Sequence, residues 1–103
     1  MMSEKELTNK DLEEILLEEM ETSLGQKADL IVYNDDYNTF DWVIQCFMEV
    51  FNYAYDQSEQ LSILIHYKGK ATVKSGSLEV LKPFKDALVD RGLSAVIETY
   101  KDA

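Results

Sequence analysis

A short apolar run, residues 30–33, ends abruptly in Asn34, Asp35, Asp36 and Tyr37, and this junction constrains the fold more than any other feature. The apolar run favours a buried strand, whereas Asn and Asp side chains bond to nearby backbone and favour a turn. The turn therefore holds one amide and two carboxylates in a fixed position, and the large apolar residues Phe40, Trp42 and Val43 follow just downstream. Acceptors beside an apolar pocket suit a ligand with a cationic head and an apolar body.

The segment after the turn has helical periodicity. Asn38 or Thr39 is predicted to cap a first helix that ends near Tyr53. The lone cysteine, Cys46, falls within this pattern, so we expect a packed thiol rather than a reactive one. The predicted apolar face of the helix consists of Val43, Phe47, Val50 and Phe51.

Two further helices are predicted downstream. Asp56 with Glu59 three residues later resembles a capping box and predicts a second helix that ends at Gly69. Ser77 is the predicted cap of a third helix that reaches residue 91. Pro83 lies inside the third pattern and is expected to kink the helix or delay its start, since proline lacks a backbone donor.

Three short strands complete the pattern, predicted at residues 29–33, 71–74 and 93–99, with a turn at Ser75 and Gly76. The order β-α-α-β-α-β predicts an α+β fold in which three helices pack against one face of a small, three-stranded, mostly antiparallel sheet. At 103 residues the chain is long enough for one such domain, and we place it at residues 28–103.

Residues 1–27 differ in character from the rest of the chain. They hold about half of its net negative charge in about a quarter of its length, which is typical of an acidic tail. We expect a mobile or weakly helical extension, and a helix packed on the domain is the alternative. Apolar residues recur in it at near-helical spacing: Leu7, Leu12, Ile15, Leu16 and Met20.

The formal net charge of −10 argues against two classes of partner. Nucleic acid and anionic membrane surfaces both require a basic face, and the composition offers none. No secretory signal and no apolar run long enough to span a bilayer is visible, so we expect a cytoplasmic protein. We expect no cofactor, and since no oligomer interface is indicated, we expect a monomer.

The only histidine, His66, begins a second distinctive stretch, His-Tyr-Lys-Gly-Lys-Ala at residues 66–71. Together with the Asn34 turn, and with the apolar run at residues 93–98 that ends in Glu, this stretch resembles the ClpS family in residue types, order and separation. The resemblance covers roughly residues 28–99 and implies a fold similar to the ribosomal-stalk C-terminal domain. It also implies an adaptor that hands N-degron substrates to an AAA+ unfoldase.

The resemblance implies two adjoining parts of a binding site. An amine site for the free N-terminus of a substrate falls on Asn34, Asp35, Asp36 and His66. A pocket for a bulky first side chain (Phe, Tyr, Trp or Leu) falls on Phe40, Ser62, Ile65 and Leu93. Phe40 replaces a frequent gating methionine, Thr39 a frequent proline, and Ser62 a larger apolar residue, so the pocket should be reshaped.

The resemblance also implies a second surface, which docks on the N-terminal domain of a ClpA- or ClpC-like unfoldase. Glu79 matches a docking position of the family, and Lys82 and Lys85 lie close to it in sequence. Phe84 stands where the family has a lysine. The docking face of this chain therefore departs from the family more than its amine site does.

Three alternatives compete with the adaptor interpretation. Asp35, Asp36 and His66 are conceivable metal ligands, although adjacent carboxylates rarely chelate one ion together. A hydrolase could use the same histidine with one aspartate, but no nucleophile or oxyanion motif is recognisable. The third alternative is a non-degradative interaction module whose acidic helical tail binds a partner, and it would be indifferent to the state of a peptide's N-terminus.

Overall fold

The computed structural model of the protein describes residues 26–100 together with Leu12. Residues 1–11 and 13–25 lie outside the described residues, so the helical character and mobility of the N-terminal extension remain predictions, and so does the domain boundary. The described elements are β1 Lys27–Tyr33, α1 Phe40–Phe51, α2 Tyr55–Lys68, β2 Lys70–Ser77, α3 Leu78–Asp90 and β3 Ser94–Thr99. Their order confirms the α+β class predicted from the sequence.

The sheet places β1 at its centre, in the order β2-β1-β3, and both pairings are antiparallel. Alternate residues of β1, namely Ala28, Leu30 and Val32, are buried and belong to the core. Asp29 lies between them in sequence, and its Oδ1 accepts hydrogen bonds from Ser75 Oγ and Tyr100 OH at 2.6 Å. The Asp29 side chain thus links the central strand to β2 and to the residue that follows β3, in addition to the backbone pairing.

The helices fill the core from one side of the sheet. Phe47 is fully buried, and aromatic rings beside it extend the core towards α3, with Phe51 within 5.3 Å of Phe84 between centroids. Tyr53 stacks on Phe51 and donates its hydroxyl to the carbonyl of Val73 at 2.8 Å. Phe84 packs against the core, which is why an aromatic residue suits this position of α3.

Helix α1 begins as predicted but ends earlier. Thr39 is the cap, and its Oγ1 accepts from the backbone N–H of Trp42 at 3.0 Å. The helix ends at Phe51 rather than near Tyr53, because Asn52 adopts the left-handed conformation with φ 60°. Asparagine tolerates that conformation better than most residues and serves as a C-terminal cap.

The predicted capping box of α2 is wrong. The helix begins at Tyr55 with Ala54 as its cap residue, and no side chain caps it. Asp56 lies in the first turn, where a carboxylate still interacts favourably with the helix dipole. Glu59 instead accepts a hydrogen bond from Tyr55 OH at 3.5 Å. The predicted end at Gly69 is confirmed, with φ 88° and its N–H bonded to the carbonyl of Ile65.

The predicted turn at Ser75 and Gly76 is also wrong, since both residues belong to β2. The strand continues to Ser77 because β1 begins at Lys27, two residues earlier than predicted, and residues 27–29 pair with residues 75–77. Ser77 then caps α3 as predicted. Pro83 lies inside α3 and does not delay its start at Leu78.

Candidate functional site

A cavity of about 610 Å³ opens where β1 ends. Three segments form it: the loop after β1, the first turns of α1 and the second half of α2. The backbone N–H of Asn34 donates to the carbonyl of Gly69 at 2.9 Å, which fixes the loop against the end of α2. The lining residues are Asn34, Asp35, Asp36, Asn38, Phe40, Val43, Ser62, Ile63, Ile65, His66 and Tyr67.

Asp35 organises the loop. Its Oδ1 accepts from the backbone N–H groups of Tyr37 and Asn38 at 2.9 Å each, and its Oδ2 accepts from Asn38 Nδ2 at 2.9 Å and Ser94 Oγ at 3.3 Å. Burial on its own raises the pKa of this carboxyl, but the hydrogen bonds from Asn38, Tyr37 and Ser94 outweigh it and lower the pKa below its ordinary value. Asp35 is therefore an ionised carboxylate whose oxygens are already occupied by protein donors.

The loop is tied to the far side of the domain by two further side chains. Asn38 Nδ2 donates to the carbonyl of Gly92 at 2.9 Å, and Trp42 Nε1 donates to the carbonyl of Arg91 at 3.0 Å. Arg91 in turn pairs with Glu49 of α1 at 3.5 Å. The connection between α3 and β3 thus holds the loop and the start of α1 in one arrangement.

Three other polar side chains of the cavity make no hydrogen bonds to described residues of the protein. Within the described part of the chain, no hydrogen bond engages the side chains of Asn34, Asp36 or His66. All three residues are exposed. His66 lies in the last turn of α2, and its ring meets that of Tyr67 edge-on at 4.9 Å between centroids. These side chains are available to a ligand, whereas that of Asp35 is largely used by the protein.

The apolar side of the cavity comes from both helices. Phe40 stands at the start of α1 and is 40% exposed, while Val43 lies one turn further along and packs against the core. Ile65 on α2 is almost completely buried. Ser62, three residues before it, is the small residue on this wall and is 3% exposed. The cavity therefore combines an apolar wall with a polar mouth.

The charge of the lining residues has one sign, since it includes Asp35 and Asp36 but no lysine or arginine. A negative, partly enclosed site attracts cations, and an ammonium group meets both requirements of charge and hydrogen bonding there. Among residues 26–100 and Leu12, no group of three His, Cys, Asp or Glu side chains is arranged to hold a metal ion. The helices within these same residues are all too short or too polar to span a membrane.

The cavity brings together seven of the eight residues predicted for the amine site and the pocket, and Leu93 is the exception. Leu93 belongs to the buried core and does not line the cavity. Four lining residues are not predicted by the sequence, namely Asn38, Val43, Ile63 and Tyr67. The sequence indicates Asn38 only as a helix cap and Val43 only as a residue of the apolar helix face. Tyr67 belongs to the stretch at residues 66–71, and its position next to His66 could have indicated that it lines the cavity.

The predicted docking residues lie on α3, which contributes no residue to the cavity. Glu79 is exposed in the first turn of the helix. Lys82 and Lys85 both approach Asp86 at 3.5 Å. The helix thus presents mixed charges, and the two lysines share one acidic neighbour.

The fold and the cavity agree with the sequence comparison. The sequence model of the family described as "ATP-dependent Clp protease adaptor protein ClpS" matches residues 25–95. The chain belongs to the ClpS family. The resemblance noted from the Asn34 turn and the His66 stretch is thereby confirmed, and the chain is a member of the Clp protease adaptors.

Several ClpS proteins share clear identity with this chain. The ClpS adaptor protein of Streptomyces coelicolor is 35% identical over 68 residues, which cover 66% of this chain and 71% of the relative. That of Thermosynechococcus vestitus is 36% identical over 66 residues, covering 63% and 70%. The Escherichia coli O127:H6 protein is 30% identical over 83 residues, covering 79% and 77%.

A solved ClpS structure has the same fold. The structure of Agrobacterium tumefaciens ClpS2 bound to L-phenylalaninamide matches with a TM-score of 0.67 and covers 73% of this chain and 98% of that one. The sequence identity is 20%, so this similarity concerns the fold of ClpS alone. It confirms the three helices and three-stranded sheet as the architecture of the family.

Proposed function

We propose that this chain is a non-catalytic adaptor for N-degron substrates. It binds the free α-amino group and the bulky hydrophobic first residue of a substrate, and delivers the substrate to a Clp AAA+ unfoldase. The observation that carries the proposal is the cavity at the end of β1, which joins unoccupied acceptors to an apolar wall within about 610 Å³. A free N-terminus beside a large side chain matches both halves of that cavity.

The amine half needs acceptors. An α-ammonium group carries three donors and one positive charge, and the Asn34 carbonyl oxygen, the Asp36 carboxylate and a neutral His66 nitrogen can accept from it. Asp35 adds negative charge and holds the loop, because its own oxygens are occupied by protein donors. Each hydrogen bond to the charged amine contributes about 1.5–3 kcal/mol.

The side-chain half is apolar. Phe40, Val43 and Ile65 surround space for a first residue such as Phe, Tyr, Trp or Leu. Burial of a Phe-sized side chain contributes about 1.5–3 kcal/mol. Together with the amine contacts, and after the cost of association, these contributions correspond to micromolar affinity, about −8 kcal/mol.

Two further observations support the proposal. L-phenylalaninamide, the ligand in the A. tumefaciens ClpS2 structure, combines a free amine with a phenyl side chain. Ser62 is the one serine or threonine among the residues that line the cavity, and its hydroxyl has no hydrogen bond to His66 or to any other described residue. A hydrolase needs a base in contact with its nucleophile, so the arrangement favours binding over catalysis.

Fluorescence anisotropy with three labelled peptides tests the recognition. The peptides differ only at the N-terminus and begin with Phe, N-acetylated Phe or Ser. We expect micromolar binding of the first alone, because acetylation removes the charge and serine leaves the apolar wall uncovered. Equal binding of all three, or of none, would reject the amine-plus-pocket function and favour an interaction module that ignores the N-terminus.

Delivery requires the docking surface on α3. We propose that Glu79, with Lys82 and Lys85, contacts the N-terminal domain of a ClpA- or ClpC-like unfoldase. In a pull-down with that domain, Glu79→Ala should weaken binding, whereas Asp90→Ala, which removes a carboxylate at the other end of the same helix, should not. Equal retention of both variants would move the docking surface away from α3.

A further inference from the structure

Two buried serines lie one turn apart on α2. Ser58 is 0% exposed and Ser62 is 3% exposed. Each Oγ is closed to solvent and has no hydrogen-bonding partner in the described part of the chain. A buried hydroxyl without a partner is unfavourable, so such groups call for an explanation. Of the two residues, Ser62 lines the cavity and Ser58 does not.

We propose that Ser62 makes the cavity prefer a first side chain with a hydroxyl at its tip, so that tyrosine is bound more tightly than phenylalanine. The inference rests on the proposed function, since it assumes that the cavity takes the first side chain of a substrate. It assigns Ser62 as the residue that determines specificity. The tyrosine hydroxyl of the substrate then supplies the hydrogen-bonding partner that the Ser62 hydroxyl lacks in the free protein.

The position of Ser62 along α2 fits this role. It precedes His66 by four residues, which corresponds to one helical turn and a rise of about 6 Å. With the amine at the His66 end of the cavity, an aromatic side chain lying along the helix brings its tip towards Ser62. The other polar lining groups belong to the loop at residues 34–38 or to the end of α2, so they lie at the amine end.

Because Ser62 Oγ is closed to solvent in the free protein, the hydroxyl must turn towards the cavity to meet a ligand there. Serine has one χ1 angle with three staggered positions, and the inference requires that one of the other two positions brings Oγ to the cavity that Ser62 lines. A phenyl ring has no hydrogen-bonding group at its tip, so the Ser62 hydroxyl stays without a partner, as it is in the free protein. A tyrosine hydroxyl offers both a donor and an acceptor, so both polar groups are satisfied at once.

The same argument predicts what happens when Ser62 is replaced by alanine. A tyrosine hydroxyl that enters the cavity must leave water, and without a partner it loses free energy. A phenyl ring is nearly unaffected by the substitution. The preference should therefore disappear or reverse in Ser62→Ala, because the variant penalises tyrosine and not phenylalanine.

The test measures peptides that begin with Tyr or Phe against the full chain and two variants, Ser62→Ala and Ser58→Ala. We expect the Tyr peptide to bind the unaltered protein roughly three- to tenfold more tightly, the range of one neutral hydrogen bond. In Ser62→Ala this ratio should fall to one or below. Ser58→Ala removes an equally buried hydroxyl outside the cavity, and the ratio should remain unchanged there.

Thermal unfolding of both variants supplies an independent check. Removal of a buried hydroxyl that has no partner should leave the melting temperature unchanged or raise it. A lower melting temperature for Ser62→Ala indicates that the hydroxyl is used inside the protein, for example by the carbonyl one turn earlier, and overturns the inference.

The binding outcomes separate this inference from the proposed function. If Phe and Tyr peptides bind with equal affinity, or if the preference for Tyr survives in Ser62→Ala, the assignment of Ser62 fails while the adaptor function stands. If neither peptide binds the unaltered protein, the adaptor function fails and the inference falls with it.

Discussion

Asn38 Nδ2 lies 2.9 Å from Asp35 Oδ2 and also 2.9 Å from the carbonyl oxygen of Gly92, so one amide nitrogen joins the two loops that meet beside the cavity. The first loop carries the acceptors proposed for the substrate amine. The second connects α3 to β3 and is anchored in the core through Leu93. The geometry of the amine site therefore depends on contacts that never touch the ligand.

Asp35→Asn should destabilise the protein by about 1–2 kcal/mol near neutral pH, because the half-exposed turn loses charge-assisted hydrogen bonds. The Asn oxygen can still accept from the backbone of residues 37 and 38. Its NH₂ group, however, faces the Asn38 amide and the Ser94 hydroxyl where Oδ2 now accepts. Urea denaturation of both proteins measures the difference.

The difference should depend on pH. The folded-state pKa of Asp35 is lowered below its ordinary value of 3.8, so its stabilisation is fully present above that value and is lost as pH falls through the lowered pKa. The gap between the unaltered protein and Asp35→Asn should therefore close in acid. Asp36→Asn is the matched control, since its carboxylate has no partner among the described residues, and a gap of the same size there would contradict the assignment.

Gly92→Ala should destabilise the protein by about 1–2 kcal/mol, because Gly92 has φ +92° and a side chain is strained in that region. Steric contact is not the cause, since an added Cβ would lie 3.8 Å from Asn38 Oδ1. Gly76→Ala is the control: its Cβ would make ordinary contacts at 3.9 Å, and no positive φ is involved. Equal effects in thermal unfolding would argue against backbone strain as the reason.

The order of elements followed from local signals that the structure preserves. Thr39, Ser77 and Gly69 mark helix ends because each supplies a cap from its own side chain or backbone conformation. Ser75 and Gly76 were misread because their local preference for a turn is overridden by pairing with residues 28 and 29 of β1. The paired residues are at least 46 positions apart in the sequence. Local periodicity therefore cannot predict this pairing.

The site was predictable where the motif is contiguous and less so where it depends on packing. Asn34, Asp36 and His66 line the cavity as the resemblance implied. The sequence treated Asp35 as one more ligand, whereas its four protein donors come from three residues, one of them on β3. The resemblance implies Leu93 as a pocket residue because the family has one at the matching position, but the Leu93 side chain is buried in the core and does not line the cavity.

Cys46 should resist alkylation in the folded protein. Burial raises the pKa of its thiol to about 11, with Arg91 opposing and Glu49 adding to the shift. Compared with an ordinary thiol of pKa 9.0, the thiolate fraction falls about a hundredfold, and the side chain is also 0% exposed. Iodoacetamide at pH 8 should therefore modify the protein only as it unfolds, as mass spectrometry with and without urea can measure. Rapid modification of the native protein would contradict a packed thiol.

Asn34→Ala and His66→Ala should each weaken binding of a peptide that begins with Phe by roughly 10- to 100-fold, the value of one hydrogen bond to a charged group. Neither variant should unfold the domain, because Asn34 anchors its loop through the backbone N–H to Gly69, and His66 is exposed at the end of α2. Tyr37→Ala is the control, since Tyr37 belongs to the same loop, is 92% exposed and does not line the cavity.

The N-acetylated peptide turns this prediction into a double-mutant cycle. Because acetylation already removes the charge that Asn34 and His66 are proposed to contact, the two substitutions should cost the acetylated peptide far less than the free one. Equal losses for both peptides would mean that the substitutions damage the cavity as a whole. Unchanged affinity of the free peptide in both variants would place the amine elsewhere, and Asp36, the remaining acceptor without a protein partner, would be the next residue to replace.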